Sequence, residues 1–553
     1  MVYPALTLLS LSWLALAAGT TASRCSPGAK RPNFVVIMTD DQDKLLNSVD
    51  YQPAVQKHFV EQGTTFDKHF CTMSQCCPSR VSYLTGRTGH NTNITDVAPP
   101  HGGYTKFISE GLNDNYAPVW MQEAGYNTYY TGKLMNRHST RTYNDPYPKG
   151  FNQTNFLIEP NVYVYYNATY QRNQDLPYYL PGRYSTDVLA ETAVEFLEHA
   201  ASDMENRPFF INIMPVGPHF EKVVPVEPGQ SIAGTVLYPP VPAKRHEHLF
   251  PNATPGESSY LKDLPRLNET VVDYLDHYYR RRLQALAAVD ELVDDVFAKL
   301  DELDLLDNTY VIYTTDNGYH IGNHRMNAGK TTCYEEDVNI PMYFRGPGVA
   351  KGKTIHYPTT HTDLVPTIFE LAGIPLRPEF DGAPMPVTKE IPQKKYEHVN
   401  IEFWGVNLEE GEYSSAIRLI GTGYDLMYVT WCTNEHELYD MKTDAAQMHN
   451  LHSSQGYLFG YPISKVLTRL NGLMMVLKSC KGQDCIYPWS VTHPEGDVRT
   501  IRDAMDPRFD QFYEEEMPVV VFDKCVRGYF TELEGPQVPA VFGGASSGKR
   551  SLD

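Results

Sequence analysis

The chain has 553 residues, 42% hydrophobic and 21% charged, which is the make-up of a folded chain with a proper core rather than a disordered or low-complexity one. Its formal net charge of −20 argues against nucleic acid as a partner, because phosphate repels an acidic surface. A small anion held by local cations stays open. The length admits one large domain and a smaller one.

Residues 6–18 are an almost unbroken apolar run, too short to span a bilayer, with small residues following up to Ser23. Residues 1–23 therefore read as a secretory signal, with a membrane anchor as the alternative, and the expected location is extracellular with no stable membrane association. Secretion predicts glycosylation at the sequons Asn93, Asn152, Asn167, Asn252 and Asn268. It also predicts disulfides. Nine cysteines are present, so one chemically consumed leaves eight. Cys480 and Cys485 can close a small loop, or one of them can reach Cys525.

Short apolar runs at 34–38, 209–214 and 310–313 predict buried parallel strands. Between them lie helical patterns at 186–199 and 277–300, the second with Leu283, Leu286, Val289, Val293, Val296 and Leu300 on one face. Strands alternating with helices predict an α/β fold with a mainly parallel central sheet. Residues 136–183 and 221–267, rich in polar residues and proline, read as long surface loops. Past residue 400 the pattern changes. Strands over 415–430, turning at Gly421 and Gly423, and a helix over 458–478 predict a smaller α+β subdomain. The expected division is a catalytic domain at 24–400, the subdomain at 401–535 and a flexible tail at 536–553.

Cys76-Cys77-Pro78-Ser79-Arg80 reads as a helix start, since proline is tolerated in a first turn. Cys76 then sits at a helix N-terminus, where partial positive charge favours an anion. A reactive cysteine or an anion site follows, with a disulfide cysteine as the plain alternative. Asp40 and Asp41 directly follow the first strand, and Asp316-Asn317-Gly318 follow the strand at 310–313. Two such strand ends can supply a hard oxygen cage for Ca²⁺ or Mg²⁺, although each alone suits a turn or a cap.

The cysteine motif together with Leu84-Thr85-Gly86-Arg87 resembles the signature of the type I sulfatases. That resemblance implies an alkaline-phosphatase-like fold and oxidation of Cys76 to formylglycine by a formylglycine-generating enzyme. It also implies attack of the hydrated aldehyde on sulfur to give a covalent sulfo-enzyme, with the second hydroxyl expelling sulfate. It implies one metal, usually calcium and less often magnesium, on Asp40, Asp41, Asp316, Asn317 and residue 76. Lys133 in Gly132-Lys133, His219 in Pro218-His219, and Lys330 in Gly329-Lys330 match the family's substrate-binding cations, with Arg80 orienting the nucleophile and His219 as proton donor. Many sulfatases have histidine where this chain has Met135, which leaves the base for sulfate release to His320 or His90. The form around Lys133 resembles secreted fungal arylsulfatases and the N-acetylglucosamine-6-sulfatase branch. The expected activity is hydrolysis of aryl sulfates. The rivals are a 6-sulfated sugar as substrate, a phosphonate or phosphate monoester hydrolase of the same fold, and a catalytically dead binding protein.

Overall fold

The computed structural model describes residues 30–203, 207–223, 236–255, 265–389, 391, 396–404 and 414–543. The predicted signal and the last ten residues of the predicted tail lie outside them. Ten strands form the main sheet: β1 (Asn33–Thr39), β2 (Thr64–Phe66), β3 (Asn127–Lys133), β4 (Gln153–Leu157), β5 (Thr169–Arg172), β6 (Tyr178–Tyr179), β7 (Phe209–Met214), β8 (Thr309–Thr315), β9 (Met342–Arg345) and β10 (Lys353–Ile355). Their order across the sheet is β10-β2-β9-β8-β1-β7-β3-β4-β5-β6. The five central strands, β8 to β4, run parallel, and β9 and β5 turn antiparallel on either side.

β1 shows why this sheet is buried on both faces. Val35 and Ile37 point to one side, where they meet helices α2 (Ser185–Ser202) and α3 (Glu269–Glu302) through Leu189, Phe196, Val289 and Val293. Phe34, Val36 and Met38 point to the other side, against Val81 and Leu84 of helix α1 (Cys76–Thr85). Alternation along the strand thus fills both layers with apolar side chains.

A four-stranded antiparallel sheet follows: β11 (His398–Phe403), β12 (Ser414–Gly421), β13 (Tyr424–Trp431) and β14 (His436–Asp440). One face carries Ile417, Leu426 and Tyr428 onto a helix at Ile463–Leu477 through Leu470 and Met474. The other face carries Val399, Ile401, Met427 and Val429 onto Phe70, Val338 and Ile340 of the larger part.

Four expectations need correction. Residues 136–183 are not simply loop: β4, β5 and β6 extend the sheet there, because Phe156, Ile158 and Tyr170 are apolar enough to be buried among the polar residues. The helix expected over 458–478 starts only at Ile463, after a small hairpin whose arms are Tyr457–Leu458 and Tyr461–Pro462. Of the two pairings expected, Cys480 and Cys485 close the small loop as the first had it, and the second fails because Cys525 pairs with Cys432. Part of the expected tail is anchored, since the Phe542 ring packs against His493, Phe509 and Phe512.

Candidate active site

Because the central strands are parallel, their carboxyl ends emerge along one edge, where α/β sheets bind ligands. Asp40 and Asp41 follow β1, Lys133 ends β3, His219 follows β7, and Asp316 and Asn317 follow β8. Facing them, Cys76 is the first residue of its helix, whose buried N-terminus adds partial positive charge. That helix ends at Gly86, whose φ of 67° is left-handed, with the Phe380 ring lying where a Cβ would sit.

The geometry is tight. The Lys133 ammonium donates to Asp40 Oδ2 at 2.5 Å, and both side chains are fully buried. Cys76 Sγ lies 3.4 Å from Asp40 Oδ1. Lys330 Nζ lies 2.7 Å from Cys76 Sγ and 3.3 Å from Asn317 Oδ1, and also donates to Asp41 Oδ1. Arg80 Nε donates to Asp316 Oδ2 at 2.8 Å, and its Nη1 to the Lys133 carbonyl at 2.7 Å. Asp41 holds a φ of 64°, a strained value for a residue other than glycine, and its amide donates to Asp316 Oδ1 at 3.0 Å. Asn317 Nδ2 donates to Asp41 Oδ1 at 2.9 Å.

Electrostatics follow from burial among many charges. Burial works to raise the carboxyls of Asp40 and Asp41; Lys133 for the first and Lys330 for the second, each joined by His219, outweigh it and hold both below the usual range. Burial, reinforced by Asp40, pushes the Cys76 thiol up against Lys133 and Lys330. Burial lowers His219 to about 4, despite Asp41 and Asp40. The His219 Nδ1 partner is the Phe220 carbonyl at 2.7 Å, which assigns the ring proton to Nδ1 and leaves Nε2 facing Asp41 Oδ2 at 3.6 Å.

The site suits a hard divalent cation. Ligand atoms of Asp40, Asp41, Cys76 and His219 all lie within 4.8 Å of one another. Asp41 Oδ2 is buried without a hydrogen-bond donor. The Lys330 ammonium sits where Asp41 Oδ1, Asn317 Oδ1 and Cys76 Sγ converge, a seat already shaped for positive charge. Asp316 is more committed: Oδ1 accepts the amides of Asp41 and Asn317, and Oδ2 accepts Arg80, which leaves one lone pair on Oδ2.

The site opens into a cleft of about 860 Å³, whose lining includes Cys76, His219 and Lys330 together with the rings of Tyr163, Phe220 and Tyr274.

Comparison with known proteins decides the family. The sulfatase family model matches residues 32–374, and the model for the C-terminal part of N-sulphoglucosamine sulphohydrolase matches 322–470. The chain belongs to the sulfatase family. It is 36% identical to an arylsulfatase of Volvox carteri, over 90% of this chain and 82% of that one. It is 45% identical to sulfatase ppz1 of Metarhizium majus, over 70% of this chain and 88% of that one. With the N-acetylglucosamine-6-sulfatase of Homo sapiens it shares 26% identity over 88% and 90%. In fold it resembles a protein solved with its substrate D-glucosamine-2-N,6-O-disulfate, with a TM-score of 0.64, 21% identity and coverage of 81% and 97%. The fold is also that of a phosphonate monoester hydrolase of Agrobacterium radiobacter, with a TM-score of 0.57, 17% identity and coverage of 77% and 92%. The chain is thus a sulfuric ester hydrolase with the alkaline-phosphatase-like fold.

In this sulfatase, Asp40, Asp41, Cys76, Arg80, Lys133, His219, Asp316, Asn317 and Lys330 come together. Of the two candidate bases, His90 is engaged away from Cys76 and His320 lies beside the loop of Lys330. His90 donates from both ring nitrogens, to Glu402 and to the Cys480 carbonyl, so it braces the smaller sheet. His320 is held at Nδ1 by Asp337 at 2.8 Å, and its backbone pairs with Gly329, next to Lys330. Met135 is buried in the core, packed with the side chains on the Cys76 side of the sheet.

Two residues at the site escaped the sequence reading. Arg282 of α3 is fully buried and donates to the Asp41 carbonyl, to Asp43 Oδ1 at 3.2 Å and to the Pro218 carbonyl at 3.3 Å. Its signal was an arginine seven residues before Val289 on an apolar helix face. The Tyr163 ring stacks on His219 at 4.0 Å and lies 4.7 Å from Lys133 Nζ. It sits in a stretch dense with tyrosines, where nothing distinguishes it. Among the sequons, Asn152, Asn167, Asn252 and Asn268 are exposed and Asn93 is half-buried.

Proposed function

We propose that this sulfatase is a secreted, arylsulfatase-type enzyme whose nucleophile is formylglycine made from Cys76, with one calcium ion on Asp40, Asp41, Asp316 and Asn317. The observation that carries the reading is the shared seat: Cys76 Sγ, Asp41 Oδ1 and Asn317 Oδ1 all contact the Lys330 ammonium. The raised thiol supports modification, because a buried cysteine kept protonated at neutral pH is a poor nucleophile. A hydrated aldehyde at residue 76 supplies a hydroxyl nucleophile and a second hydroxyl for release. A divalent cation supplies charge for the sulfate oxygens.

The chain's own residues do the rest. Lys133, Lys330 and Arg80 form a fixed positive clamp around the sulfate, each anchored on a carboxylate and so already oriented before substrate arrives. His219 presents Nε2 to the site. The charge of an arriving sulfate ester raises its proton affinity and turns it into a donor for the leaving oxygen. The aromatic cleft wall supports an aryl leaving group. The runner-up is a 6-sulfated glucosamine, which the cleft is large enough to take.

Secretion is supported by two disulfides, which persist in oxidising compartments. Among the described residues no helix is long and apolar enough to cross a membrane. Glycans belong on the five sequons, and the formylglycine-generating enzyme is a transient partner.

Turnover of 4-nitrophenyl sulfate and of N-acetylglucosamine 6-sulfate tests the reading. The aryl ester should have the higher kcat/KM, and Cys76→Ala should lose about 10⁴-fold or more on it. Preference for the sugar by orders of magnitude overturns the aryl assignment, and undiminished Cys76→Ala activity overturns the nucleophile.

A further inference from the structure

Lys222 stands in the cleft without an assigned task. It lies on a short strand, Glu221–Val223, paired antiparallel with Val236–Tyr238, where it sits opposite Leu237. Alternation along the strand turns Glu221 the other way, and its Oε1 accepts the Tyr165 amide at 3.2 Å. The Lys222 side chain lines the same cleft as Cys76, His219 and Lys330, between Phe220 and Leu237.

This lysine differs from those of the sulfate clamp. Lys133 and Lys330 are anchored on Asp40 and Asp41. Among the described residues, no carboxylate lies within salt-bridge distance of the Lys222 ammonium, although the chain carries a net charge of −20. The acid that pulls on it most, Glu159, is already engaged: its Oε1 accepts the Arg137 amide at 3.0 Å and its Oε2 lies 3.5 Å from Arg137 Nη1. Burial lowers its proton affinity, and Arg137 and Lys133 add to that against Glu159. A half-buried cation with no carboxylate beside it is unfavourable, and an anion on the substrate relieves it.

We propose that Lys222 is a specificity residue that pairs with a second anionic substituent, a carboxylate or a sulfo group, on the leaving group of the sulfate ester. The inference rests on the reading of the Cys76 cleft as the site of hydrolysis. The leaving-group ring lies against Phe220 and Tyr274, and the ammonium meets its substituent. The preferred substrates are therefore sulfate monoesters of acidic alcohols or phenols, not of neutral ones.

The test compares wild type, Lys222→Met and Lys222→Arg on carboxyphenyl sulfate, sulfophenyl sulfate and the neutral carbamoylphenyl sulfate, each as 3- and 4-isomers. Wild type should bind at least one anionic ester with a KM about tenfold below that of the neutral one. Lys222→Met should raise that KM about tenfold, change kcat less than twofold, and leave the neutral ester within twofold on both constants. Lys222→Arg should keep the preference. Whichever anionic arm responds identifies the substituent. A KM raised equally for neutral and anionic esters, or changed for neither, overturns the proposal while leaving the hydrolase reading intact. A wild type that cleaves none of the esters overturns both.

Discussion

Lys133 and Asp40 are both fully buried, so neither can fall back on water if the other is removed. Breaking a buried pair costs about 3–5 kcal/mol of stability where the survivor is left uncompensated; here Arg80 Nη2, 3.5 Å from Asp40 Oδ2, offsets part of that. Lys133→Met should therefore destabilise the protein by up to that amount in urea unfolding and lower kcat/KM by about 10²–10³-fold. Adding Asp40→Asn should recover most of the stability and none of the activity. A single variant as stable as wild type would contradict the pairing. At this scale much of the site was legible in the sequence. Asp40, Asp41 and Asp316 stand directly after apolar strands, and the cysteine motif is dense. Arg282 was not legible, because its role depends on a long-range contact with the Asp41 carbonyl across 241 residues.

Helix α3 does more than cover one face of the sheet. Its Arg282 joins the loop after β1 to the loop carrying His219, so a helix built on an apolar stripe also sets the position of the carboxylates proposed to hold the metal. Residues that orient metal ligands without touching the metal typically affect affinity by about 10–100-fold. Arg282→Gln should raise the calcium concentration needed for the calcium-dependent increase in unfolding temperature by that factor. Its kcat at saturating calcium should stay within a few-fold of wild type. Unchanged calcium dependence would remove Arg282 from this role. The helices and central strands were readable from their periodicity. Strands β4 to β6 were not, because they are short edge-side strands whose burial comes from Phe156 and Tyr170 packing in the finished sheet.

The two sheets meet in a seam that carries buried titratable groups. Burial works to lower His90, but Glu402 outweighs it and raises the ring to about 9. A raised histidine contributes stability that is fully present below its ordinary 6.5 and is lost as pH rises through about 9. Burial raises Glu534 to about 7, so the folded chain holds that proton longer than the unfolded one and stability falls from about pH 4.5 to 7. Both effects have the same sign. Between pH 6.5 and 8, above the range in which the buried His138, His219, His361, His398 and His493 add stability with rising pH, the unfolding temperature should fall as pH rises, and His90→Gln should flatten that fall. A profile that rises with pH would contradict the seam's role. The seam was hidden in the sequence because its pairs lie hundreds of residues apart, His90 and Glu402 by 312. What the whole molecule converges on is residue 76, and the most direct measurement is the mass of the tryptic peptide spanning residues 69–80 from active enzyme, with an aldehyde-reactive probe alongside. The account predicts a mass about 18 Da below the cysteine form, or nearly equal to it when the aldehyde is hydrated, with labelling by the probe in both cases. An unlabelled cysteine at position 76 in fully active enzyme would contradict it.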